Sequence, residues 1–431
     1  MSRKVKVGLM GLGTVGTGVV RLIEGNREEY LNQTGVEIEI RRILVRNKNK
    51  KRDVYVDPEI LTENPDDLIY DDEIDVIIEV MGGIESTKDT LLKAIEQGKH
   101  IVTANKDLMA LHGIELIKKA GEHGCDIYYE ASVAGGIPII NAITEGLTSD
   151  RITKIMGIVN GTTNYILTKM TMEQASFEEV LREAQELGYA EADPTSDVEG
   201  LDAARKMVIL ASLGFHAGVD LEDVSVKGIS EVTLEDIRYA KQLGYTMKLI
   251  GIAKKDDGAI EVSVEPTLIR DSHPLASVNG VFNAVYVYGE AVGETMFYGP
   301  GAGELPTATA VVSDLLNIVK NIQLGVNGKY MAVPYKPKKL KSDKEIFAKY
   351  FIRLIVNDQS GVLAQIAKLM AEENISVEKV LQEPYHEKTK AELILVTHKT
   401  SKKSVENILE ELKQLDVIKE IKSCYRVEGG E

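Results

Sequence analysis

The sequence predicts an α/β chain built from a doubly wound parallel sheet, a mixed α+β middle region and a small ferredoxin-like unit at the C-terminus. Three observations lead there. Over roughly the first 135 positions, short β-rich runs alternate with helical stretches of ten to fifteen residues, the rhythm of a parallel sheet. After that point strands and helices come in unequal clusters. The last 85 or so residues read β-α-β-β-α-β.

The first region opens with a buried strand, residues 5–10 (Val-Lys-Val-Gly-Leu-Met), that stops at Gly11. Val15, Val19, Leu22 and Ile23 then mark one face of a helix. Strands follow at 36–45, 75–80, 100–103 and 126–130, with helices at 87–97 and 108–122. In the middle region 152–159, 249–253, 260–266 and 283–288 read as strands, and 177–187 and 201–213 as helices. The Ala/Val/Leu-rich stretch 306–319 reads as a helix that returns to the first region. A Pro/Lys-rich linker, 334–345, precedes the last unit, whose strands are expected at 349–356, 376–382, 391–398 and 417–427 and its helices at 361–373 and 401–414.

Composition excludes several classes. The chain has 431 residues, 44% hydrophobic and 27% charged, as in an ordinary globular enzyme. A net charge of −16 argues against a nucleic-acid partner. No apolar run approaches the length of a membrane span, and a strand begins almost at once, so neither membrane insertion nor a signal peptide is expected. Two cysteines, Cys125 and Cys424, argue against a disulfide framework or a cysteine metal site, and the expected compartment is the cytoplasm. Two basic clusters stand against the acidic total: Arg46, Lys48, Lys50, Lys51 and Arg52, and then Lys336, Lys338, Lys339 and Lys341, the second read as a solvated loop.

Gly11-Leu12-Gly13-Thr14-Val15-Gly16 matches G-x-G-x-x-G between a strand and a helix, the context of a Rossmann-type dinucleotide turn. Gly11 permits the tight turn, Gly13 lets backbone approach a pyrophosphate, and Gly16 lets the helix pack closely. The second strand ends Leu44-Val45-Arg46-Asn47, with no acid to take a ribose 2′-hydroxyl. Arg46 suits a 2′-phosphate instead, so NADP is favoured while NAD stays possible.

Three segments collect the groups for chemistry. Thr103-Ala104-Asn105-Lys106 ends a parallel strand, where open α/β sheets bind ligands. Asn160-Gly161-Thr162-Thr163-Asn164-Tyr165 lies between a strand and a helix and reads either as capping and turn residues or as a carboxylate pocket. Asp202 and Lys206 share one helix face. Their plain reading is a helix ion pair. The turns that follow are apolar, however, so the helix is buried, and a buried ammonium held by a carboxylate suits the proton transfer that accompanies hydride transfer to a carbonyl.

Together these motifs, with Glu130–Pro138, Tyr189–Asp193 and Gly200–Lys206, resemble the homoserine dehydrogenases that carry a C-terminal ACT domain. The resemblance implies reversible NAD(P)-dependent interconversion of L-aspartate 4-semialdehyde and L-homoserine, on the route to threonine, methionine and isoleucine. It implies Lys206 as proton donor and acceptor, Asp202 as its support, and Lys106 at the junction of nicotinamide and substrate. Glu191 would bind the amino end of the substrate, with Asp197 nearby and Asn160, Gly161 and Thr162 beside it. Cofactor contacts would come from Gly11, Leu12, Gly13, Thr14, Val15, Gly16, Arg46, Thr103, Lys106 and Gly301. A sodium ion would sit on Glu130, Val133, Gly135 and Ile137, largely through backbone carbonyls. The ACT domain implies threonine as an effector, on Asn357, Asp358, Leu363, Asn374 and Ile375, and a homodimer or homotetramer. The implied domains are 1–135 for the nucleotide (with 305–330 returning to it), 136–304 for substrate and dimerisation, and 346–431 for regulation.

Overall fold

The computed structural model describes residues 4–328, 337–387 and 389–429. Lys336, the start of the expected linker (334–336), and the ends of the returning segment (329–330) and of the last unit (430–431) lie outside the described residues. The chain divides into two compact units: residues 1–159, 202–224 and 282–338, and residues 160–201, 225–281 and 339–431.

The first unit contains the parallel sheet. Its order is Leu61–Thr62, Glu37–Leu44, Lys4–Met10, Val76–Glu79, His100–Thr103, Ile127–Tyr128, and every neighbouring pair is parallel. In sequence that is 3-2-1-4-5-6, the doubly wound order, in which the order of strands reverses between Lys4–Met10 and Val76–Glu79. Ala308, Val311, Leu315, Ile318 and Ile322 of the Glu304–Leu324 helix share one core with Val5, Val7, Leu9 and Ile23. The start of the helix packs tightly on Gly18, where an added Cβ would lie 2.7 Å from the Glu304 carbonyl oxygen. The unit also holds an antiparallel group in the order Gly293–Pro300, Phe282–Gly289, Ile152–Ile158. Gly293–Pro300 carries no sequence signal because it is an exposed edge, with polar residues on both faces. The strand expected over 126–130 is only Ile127–Tyr128; Glu130–Ser132 forms a 3-10 turn instead.

In the second unit a long hairpin, Tyr245–Asp256 and Ala259–Arg270, turns on Asp257 and Gly258, both with positive φ, as a tight two-residue turn requires. Both strands run longer than the apolar runs that announced them. Ile418–Glu428 pairs parallel to Ala259–Arg270 and antiparallel to Phe347–Asn357. Lys390–Thr397 and then Val377–Pro384 complete the sheet. With the helices Val362–Glu372 and Lys402–Leu412 this is the ferredoxin-like order 4-1-3-2. Two sets of ion pairs are buried along it. Arg353 meets Asp236 at 3.0 Å and Glu392 at 3.5 Å, while Arg426 meets Glu261 and Glu428 at 2.8 Å each.

The second basic cluster is an exposed loop at Lys338 and Lys339, as expected, but not at Lys341. Lys338 pairs with Asp223 at 2.6 Å and also with Asp220, and the Lys341 side chain is buried against Asp256 at 2.5 Å.

Candidate active site

The dinucleotide turn lies at the switch point of the parallel sheet, and its end is pinned by a Gly11 N–H to Leu44 carbonyl bond of 3.0 Å. Gly11 has φ +108, and an added Cβ would lie 2.9 Å from the Val80 carbonyl oxygen. A Cβ on Gly16 would lie 2.2 Å from the Gly11 carbonyl oxygen, while one on Gly13 meets nothing within 4 Å. The glycines thus divide as the motif requires: two for close packing and one facing open space. Gly13 also caps the Thr14–Gly25 helix with no side-chain bond, leaving its first N–H groups available to an anion. This cradle fits a dinucleotide pyrophosphate.

Arg46 is exposed, two residues beyond Leu44. Arg52 is committed elsewhere: its guanidinium donates to the carbonyls of Asn47, Lys48 and Lys50 at 2.7–3.1 Å and so shapes the loop rather than facing a ligand.

Thr103 is buried at the carboxyl end of its strand, and Asn105 caps the next helix by accepting the Leu108 N–H at 3.1 Å. Lys106 is the first residue of that helix, Lys106–Glu122. Its ammonium lies 3.3 Å from Asp202 Oδ1, while Asp202 Oδ2 lies 2.7 Å from Lys206 Nζ. Lys206 also donates to the Val159 carbonyl oxygen at 2.7 Å. Arg205 pairs with Asp107 at 2.8 Å, a second tie between the two helices. Burial works to lower the Lys106 ammonium, but Asp202 and Asp107 outweigh it and hold it above its usual value. Three cations therefore face two carboxylates, an excess of positive charge suited to an oxyanion.

In the second unit Asn160 caps the Gly161–Glu173 helix through the Thr163 N–H at 2.9 Å and donates to Asp197 at 2.7 Å. Thr162 donates to the Tyr189 carbonyl at 2.6 Å. A Cβ on Gly161 would lie 2.7 Å from the Val281 carbonyl oxygen. Glu191 is exposed, its carbonyl accepting from Gln185 at 3.1 Å. So Asn160, Thr162, Tyr189 and Asp197 come together, and the capping reading of the Asn-Gly-Thr segment is the one seen here, with Asn160 also donating to the Asp197 carboxylate.

The Glu130–Ile137 loop is unusual backbone. Ala134 and Gly135 are consecutive residues with φ of 54 and 48. A Cβ on Gly135 would lie 2.5 Å from the Gly301 carbonyl oxygen, and one on Gly301 would lie 2.1 Å from Asn283. The Glu130 carboxylate accepts the Ile140 and Asn141 N–H groups at 2.7 Å each. Its backbone N–H donates to Asp314, whose other oxygen is buried with no hydrogen-bond partner. Burial pushes the Glu130 carboxyl up to about 7 and drives Asp314 well above the carboxylate range, helped by the charge of Glu130. Two buried carboxylates and an orphaned oxygen beside left-handed backbone fit a bound cation. Among the described residues no group of three or more His, Cys, Asp or Glu is poised for a metal, so such a cation would rest mainly on carbonyls.

In the ferredoxin-like unit Asn357 and Asp358 end one strand and Leu363 is exposed on the next helix, whereas Asn374 and Ile375 follow that helix. The two groups stand at opposite ends of an 11-residue helix, about 16 Å apart. The structure does not bring them together within one chain.

Sequence reasoning missed Glu79, which ends the Val76–Glu79 strand fully buried between the glycine turn and the Thr103–Lys106 segment. The signal was present: a lone acid in an apolar central strand.

A doubly wound sheet with a glycine cradle at its switch point, beside lysines sharing one carboxylate, defines a nicotinamide-dependent oxidoreductase. Residues 11–130 match the homoserine dehydrogenase NAD-binding domain, 138–316 the homoserine dehydrogenase domain and 350–417 the ACT domain. The chain belongs to the homoserine dehydrogenase family. It is 57% identical to the homoserine dehydrogenase of Bacillus subtilis over 430 residues, 99% of each chain. A crystal structure of a homoserine dehydrogenase from Thiobacillus denitrificans superposes with a TM-score of 0.91, at 40% identity over 99% of each chain. A hyperthermophilic archaeal homoserine dehydrogenase in complex with NADPH matches at 28% identity and a TM-score of 0.63, over 73% of this chain and 97% of that one. Among the described residues no helix is long and apolar enough to cross a membrane.

Proposed function

We propose that this enzyme interconverts L-aspartate 4-semialdehyde and L-homoserine with NADP as the preferred cofactor, in the cytoplasm, on the route to threonine, methionine and isoleucine. The observation that carries the reading is the single carboxylate of Asp202 shared by Lys206 and Lys106. When bound, the nicotinamide accepts or supplies the hydride. Lys206 gives its proton to the substrate oxygen during reduction and takes one from the hydroxyl during oxidation. Asp202 holds that ammonium in place and balances its charge, and the Val159 carbonyl fixes its direction. Lys106 adds a second positive charge beside the developing oxyanion.

Glu191 and Asp197 take the amino end of the substrate, with Asn160, Gly161 and Thr162 at the helix start nearby. The turn Gly11–Gly16, Arg46, Thr103 and Gly301 hold the cofactor. The exposure of Arg46, with no acid at the strand end, supports NADP. Glu130, Val133, Gly135 and Ile137 hold a sodium ion, a reading supported by the orphaned oxygen of Asp314, whose other oxygen accepts the Glu130 N–H.

The chain is organised in domains of 1–135 with 305–330, 136–304 and 346–431, with a linker at 334–345, a reading supported by the return of the Glu304–Leu324 helix to the core of the parallel sheet. Threonine acts at Asn357, Asp358, Leu363, Asn374 and Ile375. Their placement at opposite ends of one helix supports an effector held between two copies, hence a homodimer or homotetramer. Steady-state oxidation of L-homoserine with NADP and with NAD, with and without threonine, tests the whole reading. Turnover favouring NADP and reduced by threonine supports it; turnover of malate or aspartate in place of homoserine overturns it.

A further inference from the structure

Glu79 is a fully buried carboxylate at the carboxyl end of the strand that faces Lys4–Met10 across the switch point. Its hydrogen-bond donors are neutral. Oε1 accepts the N–H groups of Met81 and Gly82 at 2.8 and 2.9 Å, and Oε2 accepts the Thr103 hydroxyl at 2.6 Å. Burial of this kind holds a carboxyl above its ordinary range, so an ionisable group sits here at a cost to its charged form. Such groups gather where a site needs them.

Its bonds run in two directions. On one side they hold the 81–83 loop, whose Gly82 and Gly83 have φ of 73 and 83. That loop touches the dinucleotide turn, because a Cβ on Gly11 would lie 2.9 Å from the Val80 oxygen and 3.0 Å from the Met81 nitrogen. On the other side Thr103 accepts the Asn105 N–H at 3.1 Å, and Asn105 donates to the Gly83 carbonyl at 2.6 Å while capping the helix that begins at Lys106. Lys106 in turn reaches Asp202.

We propose that Glu79 is a positioning residue for hydride transfer, a buried carboxylate that joins the loop beside the cofactor turn to the turn presenting Lys106 and sets the spacing between them. The inference rests on the reading of this chain as an NADP-dependent homoserine dehydrogenase. Its claim is separate: no part of that reading requires a buried carboxylate at the end of this strand.

The isosteric change Glu79→Gln tests it. The amide oxygen keeps the Met81 and Gly82 bonds, but the amide nitrogen donates where Oε2 accepted, so the buried Thr103 hydroxyl proton loses its acceptor and the Thr103–Asn105 turn should readjust. Gln keeps the volume of the side chain and its bonds to Met81 and Gly82, so the fold should stay close to wild type in stability. The expected result is an unchanged melting temperature and an NADPH dissociation constant within about threefold of wild type, with kcat lowered about 10–100-fold, as a misplacement of the order of 1 Å costs. NADPH binding is read from the cofactor's own fluorescence, since the chain contains no Trp. Thr103→Val cuts the same bond from the other end, so it should lower kcat similarly, and the double variant should be no worse than either single one. Thr103→Ser, which restores the hydroxyl, should recover most of the activity. A Glu79→Gln enzyme with native kcat, or losses in the two variants that simply multiply, overturns the proposal. Should Glu79→Gln fail to fold, the Val and Ser variants at 103 decide alone: equal activity in both overturns it. A wild-type enzyme that does not turn over homoserine would instead defeat the functional reading, which the same assay reveals.

Discussion

The Lys206 ammonium meets the Asp202 carboxylate at 2.7 Å across one turn of the Leu201–Phe215 helix, and Asp202 uses its other oxygen to reach Lys106 on a different helix at 3.3 Å. The shared carboxylate makes the three residues one unit. Removing any member leaves the others with a changed charge balance, so their effects on catalysis will not add.

Replacing Asp202 by Asn keeps the shape and removes the charge. Turnover of homoserine is expected to fall about 10–1,000-fold, and Asp202→Asn combined with Lys206→Ala should be no slower than Lys206→Ala alone. Steady-state kcat of the three variants checks this. Losses that multiply in the double variant would show that Asp202 acts apart from Lys206.

Arg46 is expected to read the 2′-phosphate. Arg46→Asp removes the guanidinium and supplies the acid that a 2′-hydroxyl prefers, so the ratio of kcat/KM for NADP over NAD should fall at least tenfold, about 1.4 kcal/mol. An unchanged ratio would leave Arg46 a solvated side chain.

Lys106 is held above its usual ammonium value of 10.5. Because its folded-state value is raised, the stability it contributes is fully present below 10.5 and is lost only as the pH rises through the still higher folded value. It therefore does not titrate between about pH 6 and 9, and any limb of the rate profile there belongs to another group. Lys106→Arg preserves the charge and should leave those limbs within about 0.3 unit of their positions, whatever it does to kcat. A limb that vanishes in this variant would assign the titration to Lys106.

The buried pair of Arg353 and Asp236 ties the ferredoxin-like sheet to the Leu234–Gln242 helix within the second unit, with Ser423 donating to Asp236 at 2.6 Å. Asp236→Ala leaves a guanidinium that is 3% exposed with the more distant Glu392, at 3.5 Å, and should cost up to about 3–5 kcal/mol. Converting both residues to apolar ones of similar volume should recover only part of that loss, because the buried Glu392 then loses Arg353. Equilibrium unfolding midpoints compare the variants, and a single variant as stable as wild type would show the pair to be dispensable.

The glycine turn was legible because its physics is local: strand, turn and helix dictate residue types at fixed spacings. The Asp202/Lys206 pair was legible for the same reason, being one helical turn apart in an apolar helix. Lys106 could be placed only beside the crevice, since its partner Asp202 lies 96 positions further along the chain and helical periodicity says nothing of it. Gly293–Pro300 was invisible because an exposed edge strand needs no apolar alternation. The Leu234–Gln242 helix went unread despite its Thr233/Asp236 capping box, which only a search for caps rather than apolar runs detects. A site made of carbonyls, as expected in the Glu130–Ile137 loop, leaves no residue signature, whereas Glu79 did leave one: an acid where the strand otherwise demands Val or Ile.

The central claim, that Lys206 moves the proton at the substrate oxygen, is tested most directly by kcat for NADP-dependent oxidation of L-homoserine in Lys206→Ala against wild type, with NADPH affinity measured alongside. The expected result is a loss of about 10²–10⁴-fold in kcat with cofactor affinity nearly unchanged. Near-native turnover in that variant would contradict the account.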